Sequence, residues 1–439
     1  MKAKIFCLVL AVLVGITVFT DFRGAAGTGG VSITMLNTKG EIQSELESMA
    51  ALYESKTGVH INVIPAGSGT SPLANIAAMY SSGNPPTLAM LDTTDVVQIA
   101  EEKALDLSGE PWVSEAGNMA YRIKDKVHDE ENGAVYSFPM GAEAPGLIYN
   151  KTAIENTLGI SFDPAEYNTI EKLQGLMEAL RNHGMEYPMI ISKEDWSLGA
   201  HYLGIFYSDQ SLDPEQVDQF ITQLKLGQVD VAENGVYNGL LDTLDMLKLY
   251  NVNHKDPLSA VYEEDPSYLA DGTSAFWFNG TWAWANVEDF LDKGDDQEFG
   301  IMPLPVSNDE NDPMNRYFTG VGSKQTMIDR VMSTPEEQQA AKDFLNWLVY
   351  DAQGQDQLVN TLGMVPVFTN VTLEPKDPLG RSLKASIDGG ETVFGPMLPA
   401  DHWAQLGGQM QGYLAGRVDR EALAGMIQDY WANVRRRGE

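Results

Sequence analysis

The stretch VSITMLNTKGEIQSELESMAALYESKTGVHINVIP, residues 31–65, predicts the fold class. Its first five residues alternate between apolar and polar, as in a half-buried strand. Apolar residues from Ile42 to Tyr53 then recur at helical spacing, and a second alternating segment begins at Val59. A strand, a helix and a second strand in this order form a βαβ unit, which favours an α/β fold with an at least partly parallel sheet.

Composition narrows the function classes. The chain has 439 residues, 43% of them hydrophobic, enough for about two to three domains with packed cores. Its 29 basic and 62 acidic residues give a formal charge of −33, which repels phosphate backbones and argues against a nucleic-acid partner. The one cysteine, Cys7, excludes an internal disulfide and a cysteine-based zinc site, and the 6 histidines form no HExxH motif. We therefore predict no metal and no cofactor.

The first residues have the pattern of an export signal. Lys2 and Lys4 precede an apolar run from Ile5 to Phe19, and small residues follow at 24–27, where a signal peptidase can cut. The run is shorter than the roughly 20 residues that span a bilayer comfortably. We expect residues 1–27 to be a signal peptide and the mature protein to be periplasmic or extracellular. An uncleaved N-terminal anchor is the alternative.

Three motifs farther along the chain carry a family resemblance. They are GAVYSFPMGAEAPGLIYNK at 133–151, TSAFWFNGTWAWAN at 273–286 and FGIMPLP at 299–305. Together and in this order they resemble the extracellular solute-binding proteins of bacterial ABC importers, in the carbohydrate-binding branch typified by the maltose-binding protein. The resemblance runs from about residue 31 to the C-terminus. The anchoring cysteine of many members is absent, so the mode of attachment to a membrane stays open.

This resemblance implies an α/β, two-lobed periplasmic-binding-protein-like fold (type II) with a ligand cleft between lobes that close like a hinge. The chain would cross between the lobes near Met140–Glu143 and near Pro303–Pro305. We place the first lobe at 31–140 and 306–365, and the second lobe at 141–303 and 368–439.

The resemblance also implies several site residues. Sugars stack their C–H faces on aromatic rings and exchange hydrogen bonds with carboxylates, lysines and amides. Trp282, in the Asn-Gly-x-Trp-Ala-Trp stretch, is the predicted sugar platform, while Trp284 is predicted to pack inward. Trp403 follows a proline-bearing loop and would face the cleft. Glu194 and Trp196 match the family's Glu-x-aromatic contact pair, although a solvated loop is the alternative.

Other site residues are predicted from their places in the chain. Glu143 follows the crossing strand between two alanines, where a ligand can reach it. Thr38 and Lys39 follow the first strand, and Asp92 and Asp95 follow the third. In open parallel sheets the carboxyl ends of strands form the binding crevice, so these four are predicted ligand contacts. Asp95 could equally cap a helix.

These observations predict the sugar-binding component of an ABC importer. It would be a monomer without catalytic activity, and its partners would be a carbohydrate ligand and the membrane subunits of a permease. Two alternatives stay open. A protein of the same fold could bind a polyamine or a metal chelate, since aromatic rings with carboxylates also suit amines. An exported glycosidase would need two paired carboxylates, and no local catalytic motif supports it.

Overall fold

The computed structural model describes residues 30–67, 71–123, 133–322 and 324–437, so the predicted signal peptide lies outside the described residues. The strands are β1 Ser32–Asn37, β2 His60–Pro65, β3 Leu88–Asp92, β4 Arg122–Ile123, β5 Ala134–Val135, β6 Ser137–Pro139, β7 Pro145–Asn150, β8 Met189–Ile191, β9 Phe276–Gly280, β10 Phe299–Met302, β11 Phe318–Val321, β12 Lys324–Ile328 and β13 Thr392–Phe394.

The α-helices are α1 Gln43–Thr57, α2 Pro72–Ser81, α3 Thr93–Lys103, α4 Trp112–Ala116, α5 Lys151–Leu158, α6 Ile170–Asn182, α7 Leu203–Ser208, α8 Pro214–Leu226, α9 Gly235–Lys248, α10 Asp265–Ala270, α11 Trp284–Glu288, α12 Pro335–Tyr350, α13 Ala352–Asp356, α14 Pro378–Gly389, α15 His402–Leu414 and α16 Arg420–Arg437. Within the described ranges, no helix is both long enough and apolar enough to cross a membrane.

The first sheet contains the predicted βαβ unit. Its strand order is β2-β1-β3-β12-β6, with β1 parallel to β2 and β3, and β12 antiparallel to β3 and β6. Helix α1 ends at Gly58, whose φ of 75° is a left-handed conformation that glycine adopts without strain. At the start of α12, Thr334 and Glu337 form a capping box in which each side chain accepts from the other's backbone N–H.

The second sheet has the order β10-β7-β9-β8. Strand β7 runs antiparallel to β9 and β10, and β8 runs parallel to β9. Each sheet has its own buried core. Phe138 and Phe344 belong to the core of the first sheet, and Phe278 and Trp431 to that of the second. Two sheets with separate cores form two lobes, so the predicted two-lobed α/β fold is confirmed.

The chain returns to the first sheet later than predicted. Val306 and Met314 pack in the core of the second sheet, and Phe318 and Val321 do so as well. The chain enters the first sheet only at Lys324, with β12. The predicted crossing at Pro303–Pro305 is therefore corrected. These residues continue from β10 along the second lobe, where apolar side chains of the following segment are buried.

The last boundary differs in the same direction. The second lobe was placed from residue 368 onward, but Phe368 and Val371 pack in the core of the first sheet. Leu379, in α14, lies in a core of the second sheet. The chain therefore crosses for the last time between 371 and 379, because Phe368 and Val371 are first buried in the first lobe.

Backbone hydrogen bonds join the segments between the lobes. Ala142 N donates to the Val365 carbonyl at 2.8 Å, and Glu143 and Gly322 exchange two hydrogen bonds of 2.9 Å. A Cβ on Gly141 would lie 2.9 Å from the Val365 carbonyl oxygen, so only glycine fits this close approach. Such short segments can absorb the backbone rotation of a hinge.

Candidate functional site

The strand ends of the two sheets meet at the cleft. In the first sheet β1 ends at Asn37 and β3 at Asp92, and in the second sheet β8 ends at Ile191 and β9 at Gly280. Within each pair the strands run in the same direction, so the loops after them leave the sheet at one edge. The turn after β1 contacts α11 of the second lobe. The two edges therefore touch in this structure.

Lys39 is paired with two carboxylates at the first-lobe edge. Its Nζ lies 2.6 Å from Glu143 Oε1 and 2.9 Å from Glu41 Oε1, and its side chain is only 5% exposed. Burial alone would lower the pKa of Lys39, but the two carboxylates outweigh burial and raise the pKa above its usual value. Predicted residues Lys39 and Glu143 thus come together, and they link the first lobe to the hinge.

A second ion pair stands beside the first. Lys324 Nζ lies 2.5 Å from Asp92 Oδ1, and this lysine outweighs the effect of burial and lowers the pKa of Asp92. Asp95 is buried, and burial, with the Asp92 charge as a smaller cause, raises its pKa to about 7. Thr38 Oγ1 donates to the Met90 carbonyl at 2.9 Å, so this hydroxyl ties the loop to β3.

Four rings form a continuous chain on the second-lobe side. Ring centroids lie 4.3 Å apart for Trp282 and His201, 5.7 Å for His201 and Trp196, and 5.3 Å for Trp196 and Tyr262. The structure therefore brings the predicted residues Trp282 and Trp196 together. His201, the ring that connects them, was not predicted, and neither was Tyr262, which contacts the far side of Trp196.

His201 reaches this position because of a π-helical turn. Residues Ser197–Tyr202 form a π-helix, whose hydrogen bonds run from i to i+5. Trp196 and His201 are five residues apart and would diverge on a regular α-helix, where neighbours are three or four apart. The spacing of apolar residues in this segment does not mark such a turn.

Trp403 lies on the same side but outside this chain of rings. It is half-buried in the first turn of α15, and α15 packs against the π-helical turn. Its backbone carbonyl lies so close to Gly199 that a Cβ there would clash. Among the described residues, no ring contact joins Trp403 to the other four rings. Trp284, predicted to pack inward, contacts Phe299 at 5.4 Å between ring centroids but is only half-buried.

Acceptor oxygens without partners lie beside the rings. Three of the buried oxygens that lack a hydrogen-bond donor within the part of the chain that the structure describes belong to this region: Glu194 Oε2, Asp265 Oδ1 and Asn279 Oδ1. Asn279 Nδ2 lies 3.4 Å from Tyr262 Oη, which connects this group to the rings. Burial raises the pKa of Glu194, and it raises the pKa of Asp265 to about 7.

A hydrogen-bonded chain positions Asp265. Trp277 Nε1 donates to Ser192 Oγ at 2.8 Å, and Ser192 Oγ donates to Asp265 Oδ2 at 2.6 Å. Ser192 follows β8 and Trp277 lies in β9, so the pairing of these parallel strands fixes the carboxyl group at the cleft edge. Asn279 is the first residue of the Asn-Gly-x-Trp motif, so the sequence offered a signal for predicting it as a site residue. Asp265 and Tyr262 carry no such signal.

Within the described ranges, no group of three or more His, Cys, Asp or Glu side chains could hold a metal ion. The site is therefore characterised by rings, ion pairs and unpaired acceptors.

A family model described as bacterial extracellular solute-binding protein matches residues 48–379. The chain belongs to this family. Among its relatives is the maltotriose-binding protein of Pyrococcus abyssi, which is 24% identical over 258 residues. That match covers 56% of this chain and 47% of the relative, so the chain spans less than half of the relative's length.

Solved structures share the fold of this solute-binding protein. The complex of RafE with raffinose superposes with a TM-score of 0.72 at 17% identity and covers 92% of this chain and 99% of that one. A putative binding protein, MsmE from Bacillus subtilis, in an open conformation, gives a TM-score of 0.69 at 17% identity and covers 94% and 100%. At this identity the likeness establishes the fold alone.

Proposed function

We propose that this protein is the substrate-binding component of an ABC importer and captures a sugar or oligosaccharide outside the cytoplasmic membrane. The observation that carries the proposal is the convergence of ring faces with unpaired acceptors. Trp282, Trp196 and Tyr262 lie beside the unpaired oxygens of Glu194 and Asn279. A pyranose offers C–H faces to the rings and hydroxyl hydrogens to the oxygens.

The relatives support the same ligand class. The names of the Pyrococcus protein and of the RafE complex specify maltotriose and raffinose, both oligosaccharides. Hinge closure then delivers the bound sugar to the permease. The crossing segments near Gly141 and Gly322 and the contact between the two cleft edges fit this movement. The protein catalyses no reaction in this proposal, and it acts as a monomer.

A polyamine is the second candidate ligand, and one observation favours it. Glu41, Glu194 and Asp265 all act electrostatically on the Tyr262 hydroxyl. Three carboxylates around one place attract a cation, and the net charge of −33 increases the local concentration of cations. An ammonium group donates three hydrogen bonds and accepts none, so it could satisfy several of the unpaired acceptor oxygens at once.

Isothermal titration calorimetry of the purified protein separates these ligands. The panel contains maltotriose, raffinose, spermidine and a ferric chelate, after a thermal-shift screen in which a tight ligand stabilises the folded state. We expect a saccharide to bind with a Kd of about 1 μM or less, and each oligosaccharide to be recovered intact after prolonged incubation. Tight binding of spermidine without saccharide binding would replace the proposal, and cleavage products would indicate a glycosidase.

Export through the signal at residues 1–27 belongs to the same proposal. Intact-mass measurement of the exported protein should give an N-terminus near residues 24–30. A mass that still includes Met1 and Cys7 would contradict cleavage and favour an N-terminal anchor.

A further inference from the structure

One face of the Trp282 indole lies on the backbone of Gly280. A Cβ built on Gly280 would lie within 2.5 Å of three consecutive atoms of the benzo ring, Cη2, Cζ3 and Cζ2. A point beyond the edge of a ring cannot be nearly equidistant from three consecutive atoms at so short a range. The Gly280 α-carbon therefore lies over the ring face, and the absence of a side chain at this position permits that contact.

His201 covers the opposite face. The centroids of the two rings are 4.3 Å apart and their planes make an angle of 37°, which is a tilted stack. Gly280 already occupies one face, so the imidazole must lie on the other. Trp282 is thus enclosed between a glycine and a histidine. A pyranose cannot stack on either face while both contacts persist.

The surroundings of His201 keep its ring neutral. Trp196 and Trp282 contact it from its own lobe, and Asp92, Lys324 and Lys39 act on it electrostatically from the first lobe. Removal from water is the largest influence and lowers the pKa of His201 to about 4, Asp92 opposes this, and the two lysines add to it. A neutral imidazole can leave the cleft and take up a proton in water.

We propose that His201 and the ligand exchange places on the outer face of Trp282. The imidazole covers that face while the cleft is empty and leaves it when a sugar ring stacks there. This inference rests on the proposed function, because the ligand ring replaces the histidine ring. His201 is then a specificity-determining residue, since the imidazole contact that is lost reduces what each ligand gains by stacking on Trp282.

Proton uptake during binding tests the exchange. A histidine released into water has a pKa near 6.5, so at pH 6 release from a site of pKa about 4 takes up about 0.75 proton per ligand, and at pH 8 almost none. Calorimetric titration with the saccharide that binds most tightly among maltotriose and raffinose, in MES and in phosphate buffer, gives this number. His201→Ala and His201→Phe should both take up about 0.75 proton fewer than the wild type at pH 6. The exposed His60→Gln should match the wild type.

Affinity distinguishes exchange from a direct ligand contact. His201→Ala removes the competing ring, so the ligand should bind about two- to tenfold more tightly, as loss of one aromatic contact predicts. His201→Phe retains a competing ring and should bind no more tightly than the wild type. Tenfold weaker binding of His201→Ala, or equal proton uptake by wild type and His201→Ala, would overturn the exchange. If spermidine is the only ligand that binds, the proposed sugar-binding function is wrong. The exchange is then tested separately, by comparing proton uptake on spermidine binding between the wild type and His201→Ala.

Discussion

The two sides of the cleft differ in how their polar groups are satisfied. On the first-lobe side the charges pair with one another, Lys39 with Glu143 and Asp92 with Lys324. On the second-lobe side Glu194 and its neighbours keep acceptor oxygens without donors, next to a row of aromatic rings. On the first side Lys39 and Lys324 already have carboxylate partners, whereas the second side has unpaired acceptors left for a ligand.

This difference assigns separate tasks to the two lobes. A ligand that bonds to a paired charge must first displace the existing partner, so the net gain is small. A ligand that donates to a buried unpaired acceptor removes an existing penalty of about 1–3 kcal/mol. We therefore expect affinity to depend mainly on the second lobe, and folding and closure to depend mainly on the first lobe and the hinge.

The largest effect should come from Trp282. Trp282→Ala removes the stacking surface, and we expect ligand affinity to fall by about 2–4 kcal/mol, roughly thirty- to several-hundredfold. Trp284→Ala is the matched control, two residues away. It should leave affinity unchanged and lower the free energy of unfolding by about 2–3 kcal/mol, less than for a fully buried ring, because Trp284 is half-buried against Phe299.

Calorimetric titration and a denaturant melt of each variant decide between these roles. Normal binding by Trp282→Ala would show that the ligand stacks on Trp196, Tyr262 or Trp403 instead. Loss of binding by Trp284→Ala with an unchanged melt would place the platform two residues farther along, at Trp284.

The next effect concerns Asp95, which is buried behind the first-lobe edge with a pKa raised to about 7. Between its unfolded pKa, near 4, and its folded pKa, the folded state binds the proton more strongly, so stability falls as pH rises through this window. Asp95→Asn removes this dependence. We expect the variant to be about 1–3 kcal/mol more stable than the wild type at pH 8 and similar to it at pH 4, measured by urea unfolding.

Asp230→Asn, at an exposed position, should reproduce the wild-type pH dependence.

Asp265 makes the comparison between the lobes sharper, because its pKa is also raised to about 7 but its free oxygen lies beside the proposed ligand site. Asp265 and Asp95 should each make the free energy of unfolding depend on pH. Saturating ligand should change the contribution of Asp265 and leave the contribution of Asp95 intact. An equal response of both residues to ligand would contradict the division between the lobes.

The sequence predicted the parts of this site that depend on local pattern. The βαβ unit and the strand-end rule placed Lys39 and Asp92 at one edge, where both are found, because alternation and helical spacing act over a few residues. The Asn-Gly-x-Trp motif placed Trp282 directly after β9.

The remaining parts depend on tertiary packing. His201 reaches Trp282 only through a π-helical turn, and the spacing of apolar residues does not distinguish such a turn from a regular helix. Lys324 comes to Asp92 because β12 pairs with β3. The two strands are more than two hundred residues apart in sequence, so no local pattern predicts this pairing. The return crossing was placed too early because the FGIMPLP motif at 299–305 resembles the family's return strand, whereas burial of Val306 and Met314 keeps the chain in the second lobe.

A smaller effect is expected from breaking the first-lobe ion pairs. Lys39→Met leaves Glu41 and Glu143 close together without a cation, so we expect the free energy of unfolding to fall by about 2 kcal/mol, less than for fully buried pairs because the carboxylates are partly exposed. Lys151→Met breaks the exposed pair with Glu298 and should cost about 0.5 kcal/mol. Equal losses in the two melts would show that the Lys39 cluster contributes no more than a surface pair.

The smallest effect separates two glutamates that differ only in whether they are paired. Glu194→Gln keeps the shape and one acceptor oxygen but removes the charge, and a hydrogen bond to a charged group is stronger than a neutral one by about 1 kcal/mol. We expect about fivefold weaker ligand binding with a fold at least as stable as that of the wild type, because burial opposes the charge of Glu194 and no cation within the described ranges forms an ion pair with it. Glu143→Gln should show the reverse, a less stable fold with affinity changed less than twofold, since this carboxylate is already bound to Lys39. Titration and urea unfolding of both variants at pH 7.5 test the contrast. If Glu143→Gln weakens binding more than Glu194→Gln does, the ligand uses the paired side of the cleft, and its entry must break the Lys39 ion pair.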